Sequence, residues 1–222
     1  MTRHPPTPPL PPPAWTPAQS SLVRLSAAIA AGVPEDVARR AEGALQAGAE
    51  PDQVYETILQ SYLFVGFPRA IEALFAARDV LERAGGIPEA AAAVDPAGWE
   101  RLGTELCRRV YGRNYEKLVA TMRGLSPDLA SWMVLEGYGK TLSRPALGAV
   151  EREYAVVAIL TVTGAWRQLR SHAIGAVNVG GTRAQVREAI TLCAPWAGAA
   201  VVEEALGVTG LDENGGRSDQ GG

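Results

Sequence analysis

From about Gln19 to Leu206 the apolar positions recur with a helical period, and no run alternating at every second residue between hairpin turns competes with it. Alanine, the best helix former, is abundant throughout this span. Helix starts are marked by prolines followed by acids: Pro34 before Glu35 and Asp36, Pro51 before Asp52, and Ser126-Pro127-Asp128. Thr182 and Gln185 have capping-box spacing. Gly32, Gly48, Gly66, Gly164, Gly180 and Gly198 stand where helices should stop. The β-branched stretch Val156–Thr163 reads as a buried helix on its length and surroundings. The pattern predicts an all-α fold.

The chain also matches itself. Shifted by 132 positions, Leu22–Leu74 lies on Tyr154–Leu206 without a gap. The pairs Gly32/Gly164, Ala41/Ala173, Gly43/Gly175, Gly48/Gly180, Gln53/Gln185, Val54/Val186, Glu56/Glu188, Ile58/Ile190 and Gly66/Gly198 are identical. The paired glycines stop helices at the same places in both copies, so each copy reads as helix, tight turn, helix, short loop, helix. Duplication of a helical unit is the economical explanation.

These signals divide the chain into five parts. Residues 1–18 form a Pro-rich arm, polyproline-like and expected to be disordered. Residues 19–84 form a first, divergent unit, and residues 85–150 a helical connector. Within the connector Gly85-Gly86 breaks a helix, Glu89–Val94 is alanine-rich, and Asp95-Pro96 opens a helix running to Tyr111. Leu118–Leu125 and Leu129–Tyr138 are further helical segments, and Ser143-Arg144-Pro145 is a loop. Residues 151–206 form the second unit, and residues 207–222 a Gly-rich tail expected to be disordered.

Composition narrows the chemistry. Twenty-one Lys and Arg against 24 Asp and Glu give a net charge of -3, which argues against nucleic acid as a partner. Two histidines, His4 and His172, and two cysteines, Cys107 and Cys193, cannot build a Cys/His zinc site, so no metal is expected. The cysteines are too far apart for a C-x-x-C redox pair, and no disulfide framework exists. The longest uncharged runs, Tyr154–Trp166 and Ala189–Val202, fall short of the ~20 residues a bilayer requires. A cytoplasmic protein with no membrane partner is the expectation.

One pair of residues carries candidate chemistry. Glu153 precedes the turn at Gly164 by 11 residues and His172 follows it by eight. At ~1.5 Å per residue both lie within roughly 12–16 Å of the turn, so the side chains can meet across a helical hairpin. A carboxylate beside an imidazole sets its tautomer and raises its basicity, giving a usable general acid or base. The first copy has Ser21 and Arg40 at the corresponding positions, so one site per chain is expected.

The stretch REYAVVAILTVTGAWRQLRSHAIGAVNVGGTRAQVREAITLCAPWAG resembles the carboxymuconolactone decarboxylase family of the alkylhydroperoxidase D-like superfamily. The resemblance lies in Arg152-Glu153, His172, Ala176 through Gly180, Val186-Arg187-Glu188 and Trp196-Ala197-Gly198. GALQAGAEPDQVYETILQSYLFVGFP looks like a second, divergent unit of the same kind. Arg108 through Gly112, Tyr138-Gly139 and Leu142 through Pro145 resemble segments preceding the domain in longer members. The fold implied is a pair of alkylhydroperoxidase D-like helical units forming an intrachain pseudo-dimer. The peroxidase branch carries its C-x-x-C pair seven and four residues before the histidine; those positions here are Ala165 and Gln168, and in the first copy Val33 and Asp36. Without thiolates there, an alkylhydroperoxidase-like, peroxiredoxin-type antioxidant activity is the weaker alternative.

The decarboxylase branch needs no metal, thiol or cofactor, which suits this inventory. The resemblance then implies a cofactor-independent lyase or isomerase-type enzyme acting on a small organic acid or lactone as small-molecule substrate. His172 would donate or shuttle the proton and Glu153 would orient it. Arg144 or Arg152 would hold the substrate carboxylate by its fork, and Trp166 and Trp196 would wall the pocket. Single-unit relatives form small rings, so a homo-oligomer is expected, a trimer being one candidate. A non-catalytic helical binding or assembly module is the third reading.

Overall fold

The computed structural model describes residues 15–88 and 95–211. Most of the Pro-rich arm, the alanine-rich stretch of residues 89–94 and most of the Gly-rich tail therefore lie outside the described residues. The described residues are helical, with no strand among them. The first unit comprises α1 (Pro17–Ala31), α2 (Pro34–Gln46), α3 (Pro51–Gln60) and α4 (Tyr62–Arg83). A middle segment follows, with α5 (Pro96–Tyr111), a 3-10 turn (Gly112–Asn114), α6 (Tyr115–Leu125), α7 (Pro127–Trp132) and a π-helix (Met133–Leu142). The second unit comprises α8 (Ala149–Thr163), α9 (Trp166–Asn178), α10 (Arg183–Thr191), α11 (Ala194–Ala197) and α12 (Ala199–Thr209).

The two units superimpose by number. Moved by 132 positions, Pro17–Ala31 becomes Ala149–Thr163 and Pro34–Gln46 becomes Trp166–Asn178, both boundaries coinciding to the residue. The stops are equally matched. Gly32 (φ 77°, ψ 36°) and Gly164 (φ 68°, ψ 25°) are left-handed caps. Gly66 (φ 77°, ψ 165°) and Gly198 (φ 82°, ψ 160°) occupy a region closed to any side chain bearing a Cβ. Gly66 breaks the line of α4 where Gly198 separates α11 from α12. The duplication is real at the level of backbone dihedrals.

The units pack as a pseudo-dimer. Helix α1 lies along α8, its own counterpart. Gln19 and Glu151, themselves 132 positions apart, meet through a 3.0 Å hydrogen bond, which places them at the local twofold axis. Each core borrows from the other unit. Val23, Ala27 and Phe64 join the second unit's core of Val156, Val157, Leu160, Leu169 and Ile190. Leu147 and Trp196 join the first unit's core of Leu25, Ile29, Val37, Ile58 and Leu81. Units this small cannot bury a helix apolar on all sides by themselves, and the exchange supplies the missing cover.

The expected boundaries shift at three places. Thr16 caps α1 in a capping box with Gln19, so the fold begins within the stretch read as an arm; Pro17 occupies N1, where its missing N–H is no loss. At the other end, α12 continues to Thr209, and Leu211 is buried with its carbonyl accepting from Arg187. The connector is more than a spacer: Leu106, Cys107, Val110, Tyr115, Tyr138 and Leu142 form a third core. Its helices α5 and the π-helix touch backbone to backbone. A Cβ on Gly103 would lie 2.1 Å from the Val134 carbonyl oxygen, and one on Gly139 2.1 Å from that of Trp99. Among the described residues no helix is long and apolar enough to cross a membrane.

Candidate functional site

Helix α8 runs through the centre of the molecule, and three consecutive side chains of its first turns are buried in three directions. Arg152 faces the first unit, Glu153 faces α9, and Tyr154 donates from its hydroxyl to Gln185 Oε1 at 2.8 Å while its ring lies 4.9 Å from Trp15. Such burial of two charged groups is tolerable only because each has a partner.

Glu153 Oε2 lies 2.8 Å from His172 Nδ1. The two are 2% and 5% exposed, so the pair sits in a low-dielectric setting. The hairpin geometry read from the sequence does bring the side chains together. With the carboxylate accepting from Nδ1–H, Nε2 becomes the working nitrogen, and it makes no hydrogen bond to any described residue. The close approach of α9 depends on Gly175, where a Cβ would lie 2.6 Å from Val110 Cγ1 and 3.1 Å from Glu153 Oε2.

The imidazole is walled by aromatics from outside its own unit. Phe64 of α4 stands edge-on at 5.7 Å between ring centres, and Tyr111 of α5 at 6.4 Å. Tyr138 of the π-helix lies 6.0 Å from Tyr111. Asn178 donates to the Val110 carbonyl at 2.8 Å and so anchors the end of α5 against α9. Burial, with the Glu153 carboxylate nearby, pushes the Cys107 thiol up to about 12. Burial also raises the Tyr111 and Tyr138 phenols, with Glu153 adding to the effect, so both are neutral donors at physiological pH. Sequence reasoning missed Phe64, Tyr111 and Tyr138. The repeat held a signal for the first, because Phe64 is the counterpart of Trp196.

The same construction is found, altered, in the first unit. Arg40, counterpart of His172, has its guanidinium carbon 4.9 Å from the Trp196 ring centre, as Phe64 covers His172. Asp36, which holds one of the peroxidase thiol positions, accepts from Trp196 Nε1 at 2.6 Å and pairs with Arg39 and Arg40. Partial burial pushes the Asp36 carboxyl up, but hydrogen bonds from Arg39 and Trp196 and the charges of Arg40 and Arg39 outweigh it and hold it below its ordinary value. At these positions the first unit holds an ion-paired cluster that contacts Trp196 of the second unit.

Other expectations need correction. Arg152 is not placed to hold a substrate carboxylate. It is 1% exposed, donating to Gln60 Oε1 at 2.9 Å, to Glu56 Oε2 at 2.9 Å and to the carbonyls of Arg144 and Pro145. Burial lowers its pKa, and the Glu56 hydrogen bond and charge partly restore it. Arg144 shares Glu56, through Nε at 2.7 Å, with its side chain still partly exposed. Trp196 belongs to Asp36 and Arg40 rather than to His172. Trp166 is half-buried against the second unit's core and lies beside the Gly164 turn. A cavity of about 260 Å3 lined by Ile29, Val37, Pro68 and Ala73 belongs to the first unit, and one of about 140 Å3 is lined by Ala173, Val177, Val186 and Leu211; neither is lined by Glu153 or His172. Among the described residues no group of His, Cys, Asp and Glu could hold a metal ion.

A doubled all-α unit with a buried glutamate–histidine pair in its second half defines the class of molecule. The model of the carboxymuconolactone decarboxylase family matches residues 10–79 and 127–210, and the chain belongs to that family. The chain is also similar to "Peroxisomal protein 2" of Schizosaccharomyces pombe, 31% identical over 141 residues, which is 60% of this chain. The matched region spans 63% of that relative, less than two thirds of its length.

Proposed function

We propose that the chain is a cofactor-independent lyase or isomerase-type enzyme that uses acid–base chemistry on a small organic acid or lactone. The observation that carries this reading is the buried 2.8 Å contact between Glu153 Oε2 and His172 Nδ1. It leaves Nε2 as the nitrogen free to take or give a proton, on an imidazole flanked by the rings of Phe64 and Tyr111. Loss of CO2 with delivery of a proton to carbon, or movement of a proton between carbons, needs one such group and no oxidant. The thiol route is disfavoured, since Ala165 and Gln168 replace the thiols and burial pushes Cys193, like Cys107, up to about 12. Arg144, whose Nη atoms are not held by Glu56, is the cation retained in this reading for a substrate carboxylate.

The test is turnover of unsaturated lactones and keto acids, read as CO2 release or isomer formation. His172→Ala and Glu153→Gln are expected to abolish it with folding intact. Turnover untouched by His172→Ala in a folded chain would refute the assignment.

The burial of both residues favours a second reading, in which Glu153 and His172 pin α8 to α9 in a non-catalytic helical assembly module. Here His172→Ala lowers the melting temperature and no substrate of the panel turns over. A homo-oligomer belongs to either reading, supported by Phe67, Ile71 and Phe75, which stand exposed at four-residue spacing on α4. Light scattering showing a monomer at micromolar concentration would remove it. A cytosolic location is part of the proposal, and recovery in an organelle fraction, as the relative's name suggests for that protein, would overturn it.

A further inference from the structure

We propose that the middle segment is a lid over His172: α5 and the π-helix lift from α9 as one body and uncover Nε2 to substrate. This rests on the acid–base reading above and adds to it how the site is entered.

The repeat supplies the control. His172 and Arg40 hold matched places, each beside an aromatic ring from the other unit, Phe64 and Trp196. Yet the Arg40 side chain is 30% exposed and that of His172 is 6%. The matched glycines differ in the same sense. A Cβ on Gly43 would meet nothing within 4 Å, whereas one on Gly175 would meet Val110 Cγ1 at 2.6 Å. What covers the second unit and not the first is α5, through Val110 and through Tyr111 at 6.4 Å from the imidazole. Helix α5 has no counterpart, since a shift of 132 positions in either direction carries it outside the chain. It closes the one site that keeps a histidine. A side chain 6% exposed leaves too little open surface for a substrate, so acid–base turnover requires the cover to move.

The segment is built to move as a piece. Gly103 and Gly139 lock α5 to the π-helix, and Leu106, Cys107, Tyr138 and Leu142 give the two a core of their own. Among the described residues, the hydrogen bonds tying this body to the units are Asn178 Nδ2 to the Val110 carbonyl and the Tyr62 hydroxyl with Thr141 Oγ1, each 2.8 Å. The loop into α8 is pinned by Arg152, which donates to the carbonyls of Arg144 and Pro145. Next to it Ala146 has φ 75°, in the left-handed region that favours glycine. A strained residue beside a pinned loop is placed to absorb the rotation of a hinge.

The chain's own thiols report the motion. Cys107 belongs to the lid and feels the Glu153 charge, while Cys193 lies in the second unit's core. The full chain is treated with iodoacetamide for the thiols and diethyl pyrocarbonate for His172, and each site is followed by peptide mass. Both thiols should react far more slowly than a free thiol. Cys107 should react about tenfold or more faster than Cys193, because partial opening exposes it without unfolding. Asn178→Ala, which removes one tie, should speed Cys107 and His172 together by about fivefold, as for one lost hydrogen bond. Ile29→Val, in the first unit's core, should speed Cys193 several-fold and leave Cys107 and His172 unchanged. Equal rates at the two thiols, a parallel rise of both in Ile29→Val, or labelling of Cys107 without His172 each overturns the lid. Turnover indifferent to His172→Ala sinks the acid–base reading, while the opening, read by labelling alone, would stand.

Discussion

Replacing Glu56 by alanine is expected to destabilise the chain more than any substitution on its surface. Glu56 accepts from Arg152 Nη2 at 2.9 Å and Arg144 Nε at 2.7 Å, and the Glu56 and Arg152 side chains are only 5% and 2% exposed. The network joins α3 of the first unit, the loop after the π-helix and α8 of the second. Removing the carboxylate leaves the Arg152 guanidinium buried without a counter-charge, beside a second cation. Breaking a buried pair from one side costs about 3–5 kcal/mol, against ~0–1 for a solvated pair. At about 2–4 °C per kcal/mol for a chain of this size, the melting temperature should fall by roughly 6–20 °C. Glu56→Gln keeps an acceptor and should lose less, about 1.5–3 kcal/mol. Urea titration followed by helical circular dichroism, with calorimetry alongside, gives both numbers. A loss below about 1 kcal/mol for Glu56→Ala would show that water or a shifted Arg152 replaces the carboxylate, and the account of a central ionic tie would fail.

Three further outcomes follow from the geometry. Gly175→Ala sets a Cβ 2.6 Å from Val110 Cγ1, so overpacking should cost about 1–3 kcal/mol; a neutral result would show that α5 yields freely there. Both thiols are held up near 12, so a thiol reagent should label Cys107 and Cys193 slowly in the native chain and fully in urea; fast native labelling of either contradicts the burial argument. Asp36 is held below its ordinary value of 3.8, so its contribution to stability is present above that pH and is lost as pH falls through the folded value. Asp36→Asn should flatten that acid limb, followed by Trp196 emission, and an unchanged limb would count against it.

The helices and their stops were legible because they are local. Prolines at N1, capping boxes and paired glycines act within a few residues, and the repeat supplied each stop twice. Glu153 and His172 could be brought together on paper because a hairpin of known rise links them. The π-helix could not be read, since nothing local in Met133–Leu142 separates it from an α-helix; its glycine Gly139 faces the Trp99 carbonyl, and Gly103 faces that of Val134. Arg152 was expected at a substrate carboxylate and proved a central structural tie, because its partners Glu56 and Gln60 lie in the other unit. Trp196 was placed at the wrong site for the same reason: its partner Asp36 is 160 residues away.

The hydrogen bond from Gln19 to Glu151 has a meaning beyond its 3.0 Å. In an assembly of identical copies, a side chain on the symmetry axis can only greet its own likeness, glutamine to glutamine or acid to acid. Joining both halves in one polypeptide lifts that restriction. A donor can face an acceptor across the axis, an imidazole can be kept on one side while an arginine settles on the other, and each half is free to specialise without dragging its twin along.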